Sequence, residues 1–157
     1  MTEQRDIRGV LISVTQGRLL LPNASVAEVI TYSEPEPVPG APDWLMGRVR
    51  WRGWRLPLVS FARLAGWAPE TGQMGAKVAV LKALGNNAKL PFFAVMSQGF
   101  PRLVTVSQAA LQEQHDIKEL PLGVHARVML NDDAAVVPDL LSVELLIQKA
   151  MDQADAA

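Results

Sequence analysis

The stretch from Pro39 to Leu64, PGAPDWLMGRVRWRGWRLPLVSFARL, constrains the fold more than any other part of the chain. Proline fixes φ and pushes the residue before it out of the helical region, so Pro39, Gly40 and Pro42 dictate an extended approach. Val49 and Trp51 then alternate with Arg48, Arg50 and Arg52, the period of two of a strand with one dry face and one wet face. Glycine tolerates positive φ, which makes Arg52-Gly53 the reversal point before a second apolar run, Leu56 to Phe61. A tight β-hairpin is the result. Pro57, inside the second strand, has no amide to donate, which predicts a sheet edge or a bulge at that point.

The same logic extends along the chain. Val10 to Val14 and Leu19 to Leu21 flank Thr15-Gln16-Gly17-Arg18, a hairpin in which Gly17 is expected to supply the turn. Asn23 is placed to cap a helical turn over Ala24 to Ile30, with Val26, Val29 and Ile30 at helical spacing and Glu28 on another side. Pro35, Pro37, Pro39 and Pro42 make Ser33 to Asp43 a semi-rigid connector. Gly66 to Ala76 reads as a loop at which one lobe ends. Val78 to Leu84 and Leu90 to Met96 form another hairpin around Gly85, Asn86 and Asn87. Leu103 to Val106 is a short strand, Ala109 to Glu119 stays ambiguous, and Val124 to Leu130 and Ala134 to Val137 flank the turn Asn131-Asp132-Asp133. A closing helix from Ser142 to Ala150 carries the stripe Val143, Leu146, Ile147 and Ala150 under a serine cap, and Met151 to Ala157 is expected to fray. Eight or nine short strands with little helix predict a mainly all-β fold of small barrels, with lobes at 8–70 and 77–140 and the helix 141–150 packed back on the core.

Composition narrows the function. A net charge of −1 argues against a general polyanion binder, so partners are to be recognised by shape or by a local basic patch. The absence of cysteine removes disulfides and thiolate metal sites. No uncharged apolar run approaches the roughly 20 residues of a membrane helix, so neither membrane insertion nor secretion is indicated and a cytoplasmic location is expected. Catalysis needs titratable groups that converge, and the chain offers two histidines, His115 and His125, whose spacing fits no helical metal pair. Asp132-Asp133 is followed by Ala134-Ala135-Val136, which lack the oxygens of a calcium loop, and Gly72-Gln73-Met74-Gly75-Ala76 has no phosphate-binding pattern. No enzyme, metal, cofactor or small-molecule substrate is expected.

What remains is the hairpin itself. Arg48, Arg50, Arg52 and Arg55 interleave with Trp51 and Trp54, a composition shared by protein-binding hot spots and by barrels that grip nucleic acid through phosphates and stacking. The protein-binding reading is preferred, with a nucleic-acid-binding β-barrel module using 48–55 as the alternative. For any single tryptophan among Trp44, Trp51, Trp54 and Trp67, burial is the commoner fate.

At Gly47 to Leu64 the sequence GRVRWRGWRLPLVSFARL resembles the signature of the CheW-like domain, in which a glycine opens a strand, Arg-Gly turns it and a proline-containing strand follows. Upstream, LLLPNASVAEVI is similar to the family's strand, proline and Val-x-Glu-Ile/Val segment, on Leu21, Pro22, Val26, Glu28, Val29 and Ile30. Pro39 to Pro42 fit its connector, and VVPDLLSVELL resembles its closing strand and helix, with Asp139 at the acidic position. Departures fall on Arg50 and Trp51, in place of Asn-Leu, on Ser60 in place of aspartate, and on Val95-Met96-Ser97, where the second-lobe aspartate is missing. The resemblance implies two SH3-like five-stranded barrels and a non-catalytic adaptor coupling chemoreceptor cytoplasmic tips to a CheA-type histidine kinase, in a pilus-motility or a flagellar array. The partner-binding residues expected on this basis are Val26, Glu28, Val29, Arg50, Arg52, Gly53 and Trp54. Glu28 and Arg52 are expected to pair, because a carboxylate in an apolar segment persists only when its charge is compensated.

Overall fold

The computed structural model describes residues 6–85, 87–114 and 120–155, so the expectations for Asn86, for His115 with the rest of 115–119, and for 156–157 lie outside the described residues. Strands β1 (Ile7–Val14), β2 (Gly17–Pro22), β8 (Arg102–Val106), β9 (Leu111–Gln114), β10 (Val124–Leu130) and β11 (Asp133–Pro138) form a six-stranded sheet in the order β8-β1-β2-β11-β10-β9. Strands β3 (Val26–Thr31), β4 (Leu45–Trp51), β5 (Trp54–Val59), β6 (Lys77–Lys82) and β7 (Phe92–Ser97) form a five-stranded sheet in the order β3-β6-β7-β5-β4. Pairing is antiparallel except where β11 meets β2 and β5 meets β7. The six-stranded sheet thus takes strands from both expected lobes, 8–70 and 77–140, while the loop 66–76 joins β6 to the short helix α1 (Phe61–Leu64) that follows β5 of the same five-stranded sheet.

Several strands are apolar at every position because both of their faces are dry. Val49, Leu56, Leu58, Val78, Val80, Ala94 and Met96 form a cluster inside the five-stranded sheet. Leu11, Leu20, Ala126, Val128 and Leu130 do the same inside the six-stranded one. Their sequence neighbours Val10, Ile12, Leu19, Leu21, Val59, Leu81, Phe93 and Val95 point the other way, into a third core between the sheets. Strands at opposite ends of each sheet feed the same inner cluster, β3 and β4 in one case and β8 and β9 in the other, so each sheet curls around its own contents. Helix α2 (Leu140–Asp155) seals the central core with Leu140, Val143 and Ile147.

Four expectations are corrected. Residues 24–30 are not helical: a 3-10 turn at Asn23–Ser25 leads straight into β3, and Asn23 caps nothing. The run of β-branched residues prefers the pleated conformation, and a bulge between Val26 and Glu28 breaks the period of two, so the apolar spacing mimics a helix. Pro57 lies in an interior strand; pairing with β7 begins only at Leu58, so the missing amide falls just outside that ladder. The first hairpin turns on Thr15 and Gln16, with Gln16 at φ 65°, while Gly17 already belongs to β2. Finally, α2 starts before Ser142 and does not fray at Met151. Asp139 is its cap, its Oδ1 accepting the Ser142 amide at 3.1 Å.

Candidate functional site

The hairpin β4–β5 reverses on Arg52 and Gly53, at φ 47° and 82°, with Trp51 opposite Trp54 and Arg50 opposite Arg55. Positive φ at both central residues is the two-residue turn whose twist matches the strands, and Gly53 takes the second position without strain. Glycine is needed again at Gly47, where a Cβ would run into the carbonyl oxygen of Glu36. This close approach lets the proline-rich connector lie along β4, with Glu36 and Arg48 exchanging backbone hydrogen bonds at 2.9 and 2.8 Å.

The turn does not project into solvent alone. Glu28, on β3 at the far end of the sheet, accepts a hydrogen bond from the indole Nε1 of Trp51 and another from Arg52 Nη2 at 3.4 Å, so one carboxylate closes the curled sheet. Trp51 is buried, its ring set edge-on to Phe92 at 4.9 Å, and the Arg52 guanidinium lies 5.1 Å from the Trp51 ring centroid. The indole N–H is the main reason the Glu28 carboxyl sits below its ordinary pKa; partial desolvation opposes the shift, and the Arg52 charge adds to it. The expected Glu28–Arg52 pair therefore exists but is exposed, with the arginine side chain 68% accessible.

Around this fastener the tip presents a shallow cleft of about 350 Å³ lined by residues 50 to 55. Arg50 and Arg55 are exposed side by side, with Glu36 4.0 Å from Arg55, and Trp54 is 40% exposed. Of the residues expected at a partner surface, Glu28, Arg50, Arg52, Gly53 and Trp54 come together here. Val26 is half-buried against the central core, and Val29 is half-buried on the face of β3 opposite Ile30. Among the tryptophans, Trp51 is buried, Trp44 and Trp67 are partly buried and Trp54 is open. Among the described residues no three His, Asp or Glu side chains gather as metal ligands, and His125 is exposed.

Sequence reasoning missed two features, the Trp51–Glu28 hydrogen bond and a buried acid. Trp51 is itself the signal for the first, since a buried indole N–H needs an acceptor. The second is Glu70, 1% exposed, which accepts from the Thr15 amide at 2.7 Å, Ser60 Oγ at 2.6 Å and Gln98 Nε2 at 3.3 Å. Ser60 also caps α1, accepting from the Arg63 amide at 3.3 Å. At position 60, where the resemblance calls for aspartate, a carboxylate would face that of Glu70.

A family model, the CheW-like domain, matches residues 8–151. No curated protein matches. Among solved structures, the scaffolding protein TtCheW from Thermoanaerobacter tengcongensis superposes with a TM-score of 0.72 at 13% identity, covering 88% of this chain and 87% of that one. At that identity the likeness speaks for the fold: mostly strands, two sheets and a C-terminal helix, in keeping with two SH3-like lobes. With the match running through both sheets and most of α2, the chain belongs to the CheW-like domain family.

Proposed function

We propose that this protein is a non-catalytic signalling adaptor that couples chemoreceptor cytoplasmic tips to a CheA-type histidine kinase. The family is one of scaffolds, and the observation that carries the reading here is the hairpin tip tied to β3 by Glu28. A turn fixed at both edges of a closed sheet offers Trp54, Arg50 and Arg52 to a partner at little cost in ordering, and aromatic and arginine side chains are the usual anchors of protein interfaces. Glu28, Val26 and Val29 extend the surface along β3, an edge strand of its sheet. Coupling further requires that the two signalling states of the kinase be bound unequally, since equal binding shifts no equilibrium.

The test is retention of a purified CheA-type kinase regulatory domain on the immobilised protein. Retention that persists from about 50 to 500 mM salt supports an adaptor held by packing and hydrogen bonds rather than by charge alone. Failure to retain the kinase domain, with nucleic acid bound instead and lost steeply as salt rises, contradicts it.

A further inference from the structure

Each sheet ends in two edge strands, and all but one of these edges are closed or blunted. The proline-rich connector lies along β4 through Glu36 and Arg48, Glu28 ties β3 to the hairpin turn, and β9 is short, with Gln112, Glu113 and Gln114 exposed. Strand β8 has none of these devices. It reads Arg-Leu-Val-Thr-Val, pairs with β1 from Ile7 opposite Val106 to Leu11 opposite Arg102 without a bulge, and leaves Leu103 71% exposed. Among the described residues, no backbone group of 102–106 bonds outside the β1 ladder.

Which groups of β8 face outward follows from register. Val14 and Gly17 close the two-residue turn of the first hairpin, so Val14, Ile12 and Val10 bond to β2. The Ser13 carbonyl accordingly faces the other way, where it accepts the Gln98 amide at 2.7 Å. Ile7, Gly9 and Leu11, in step with Ser13, then bond to β8 at Val106, Val104 and Arg102. Leu103 and Thr105 are left with amide and carbonyl turned outward, and their side chains share the face that Val10 presents to the central core.

One antiparallel self-pairing satisfies this edge in full. With Leu103 opposite Thr105 of a second copy, every outward amide meets an outward carbonyl about a two-fold axis at Val104. Moving the copies two residues one way sets Thr105 against Pro101, which has no amide to give. Moving them the other way sets Leu103 against Ser107, whose carbonyl already accepts from Ala110 and Leu111. The charges on β1 and β8 are Arg8 and Arg102. In the favoured register Arg102, held by Asp133 at 3.1 Å, faces Val106 of the copy, and Arg8 stands behind Thr105, so no like charges are opposed. The two Leu103 residues meet on the diagonal, about 7–8 Å apart and within reach of each other. A concavity of about 260 Å³ lined by Arg8, Asn23, Leu103, Val104 and Thr105 lies beside them.

We propose that β8 is an interface for a second copy of this chain, the two edges pairing antiparallel with Leu103 opposite Thr105 so that the six-stranded sheets of two molecules run on into one. A contact this small makes a weak, reversible dimer.

Sedimentation velocity of the purified full chain from about 10 μM to 1 mM, with amide exchange followed by NMR at both ends of that range, is the test. Dimer should build up with concentration, and exchange at the Leu103 and Thr105 amides should slow roughly tenfold or more, while the inward-bonded Val104 amide stays protected throughout. Thr105→Pro removes a donor that the monomer does not use, and an edge strand accepts proline there, so dimer should be lost with the melting temperature nearly unchanged. Leu103→Lys, on an exposed side chain, should also abolish the dimer and keeps the test alive if the proline variant does not fold. A monomer at every concentration, a dimer equally strong in both variants, or protection that rises elsewhere and not at these amides would overturn the proposal. So would exchange slowed at Leu103 and Thr105 only by an added CheA-type kinase regulatory domain, which would give the edge to another protein.

Discussion

Glu28 fastens two strands through two donors, and the first of them is open to a direct test. Trp51→Phe keeps the ring in its cluster but deletes the indole N–H, so the Glu28 carboxyl should titrate closer to the ordinary range, and Arg52→Gln, which removes the charge, should move it the same way. Site-resolved NMR titration of the carboxyl reads both shifts, and a titration unmoved by Trp51→Phe would contradict the indole N–H as its main cause. The sign of the linkage is fixed: the folded pKa is lowered, so the stabilisation is present above the unfolded value and is lost as pH falls through the folded one. At Glu70, Ser60→Ala removes a donor from a buried carboxylate and should cost about 1–3 kcal/mol in urea unfolding. Ser60→Asp should also cost stability, because it sets a second carboxylate against the first; a variant as stable as the parent would refute that contact. The chain showed Glu28 and Arg52 as partners because both are charges at informative places. It did not show Glu70, which looks like any loop acid until the Thr15 turn, Ser60 and Gln98 are brought around it.

At the scale of elements, hairpins were legible wherever a turn residue interrupts an apolar run, as at Arg52-Gly53 and Asn131-Asp132, and their register follows from the turn. What local pattern misjudges is β3, where a bulge makes a strand copy helical spacing, and the start of α2, where Asp139 rather than Ser142 does the capping. The second case carries its own prediction. Asp139→Ala should lower stability by about 0.5–2 kcal/mol at neutral pH. The Asp139 carboxyl is held below its ordinary pKa by the Ser142 amide first and the Ser142 hydroxyl next, against slight desolvation and with a small assist from His125. Its contribution should therefore vanish as pH falls through that lowered value, and the variant and the parent should converge in acid. A gap between their unfolding midpoints that survived at low pH would mean the cap acts through something other than its charge.

For the whole molecule, the controlling fact is that the six-stranded sheet is assembled from the two ends of the chain while the five-stranded sheet takes its middle. No local signal announces that β1 will meet β8 or that β2 will lie parallel to β11, since these contacts join residues distant in sequence. Doubly apolar strands do announce that two dry faces must be covered, and the central core shared by both sheets and α2 is how that demand is met. This sharing sets the β4–β5 hairpin on a body packed through its central core. The account is tested most directly by calorimetric titration of a CheA-type kinase regulatory domain with the parent, Trp54→Ala and Arg52→Ala. It predicts saturable binding by the parent, weakened roughly tenfold or more by Trp54→Ala and measurably by Arg52→Ala, with melting temperatures nearly unchanged. Undiminished binding by both variants, or none by the parent, would contradict it.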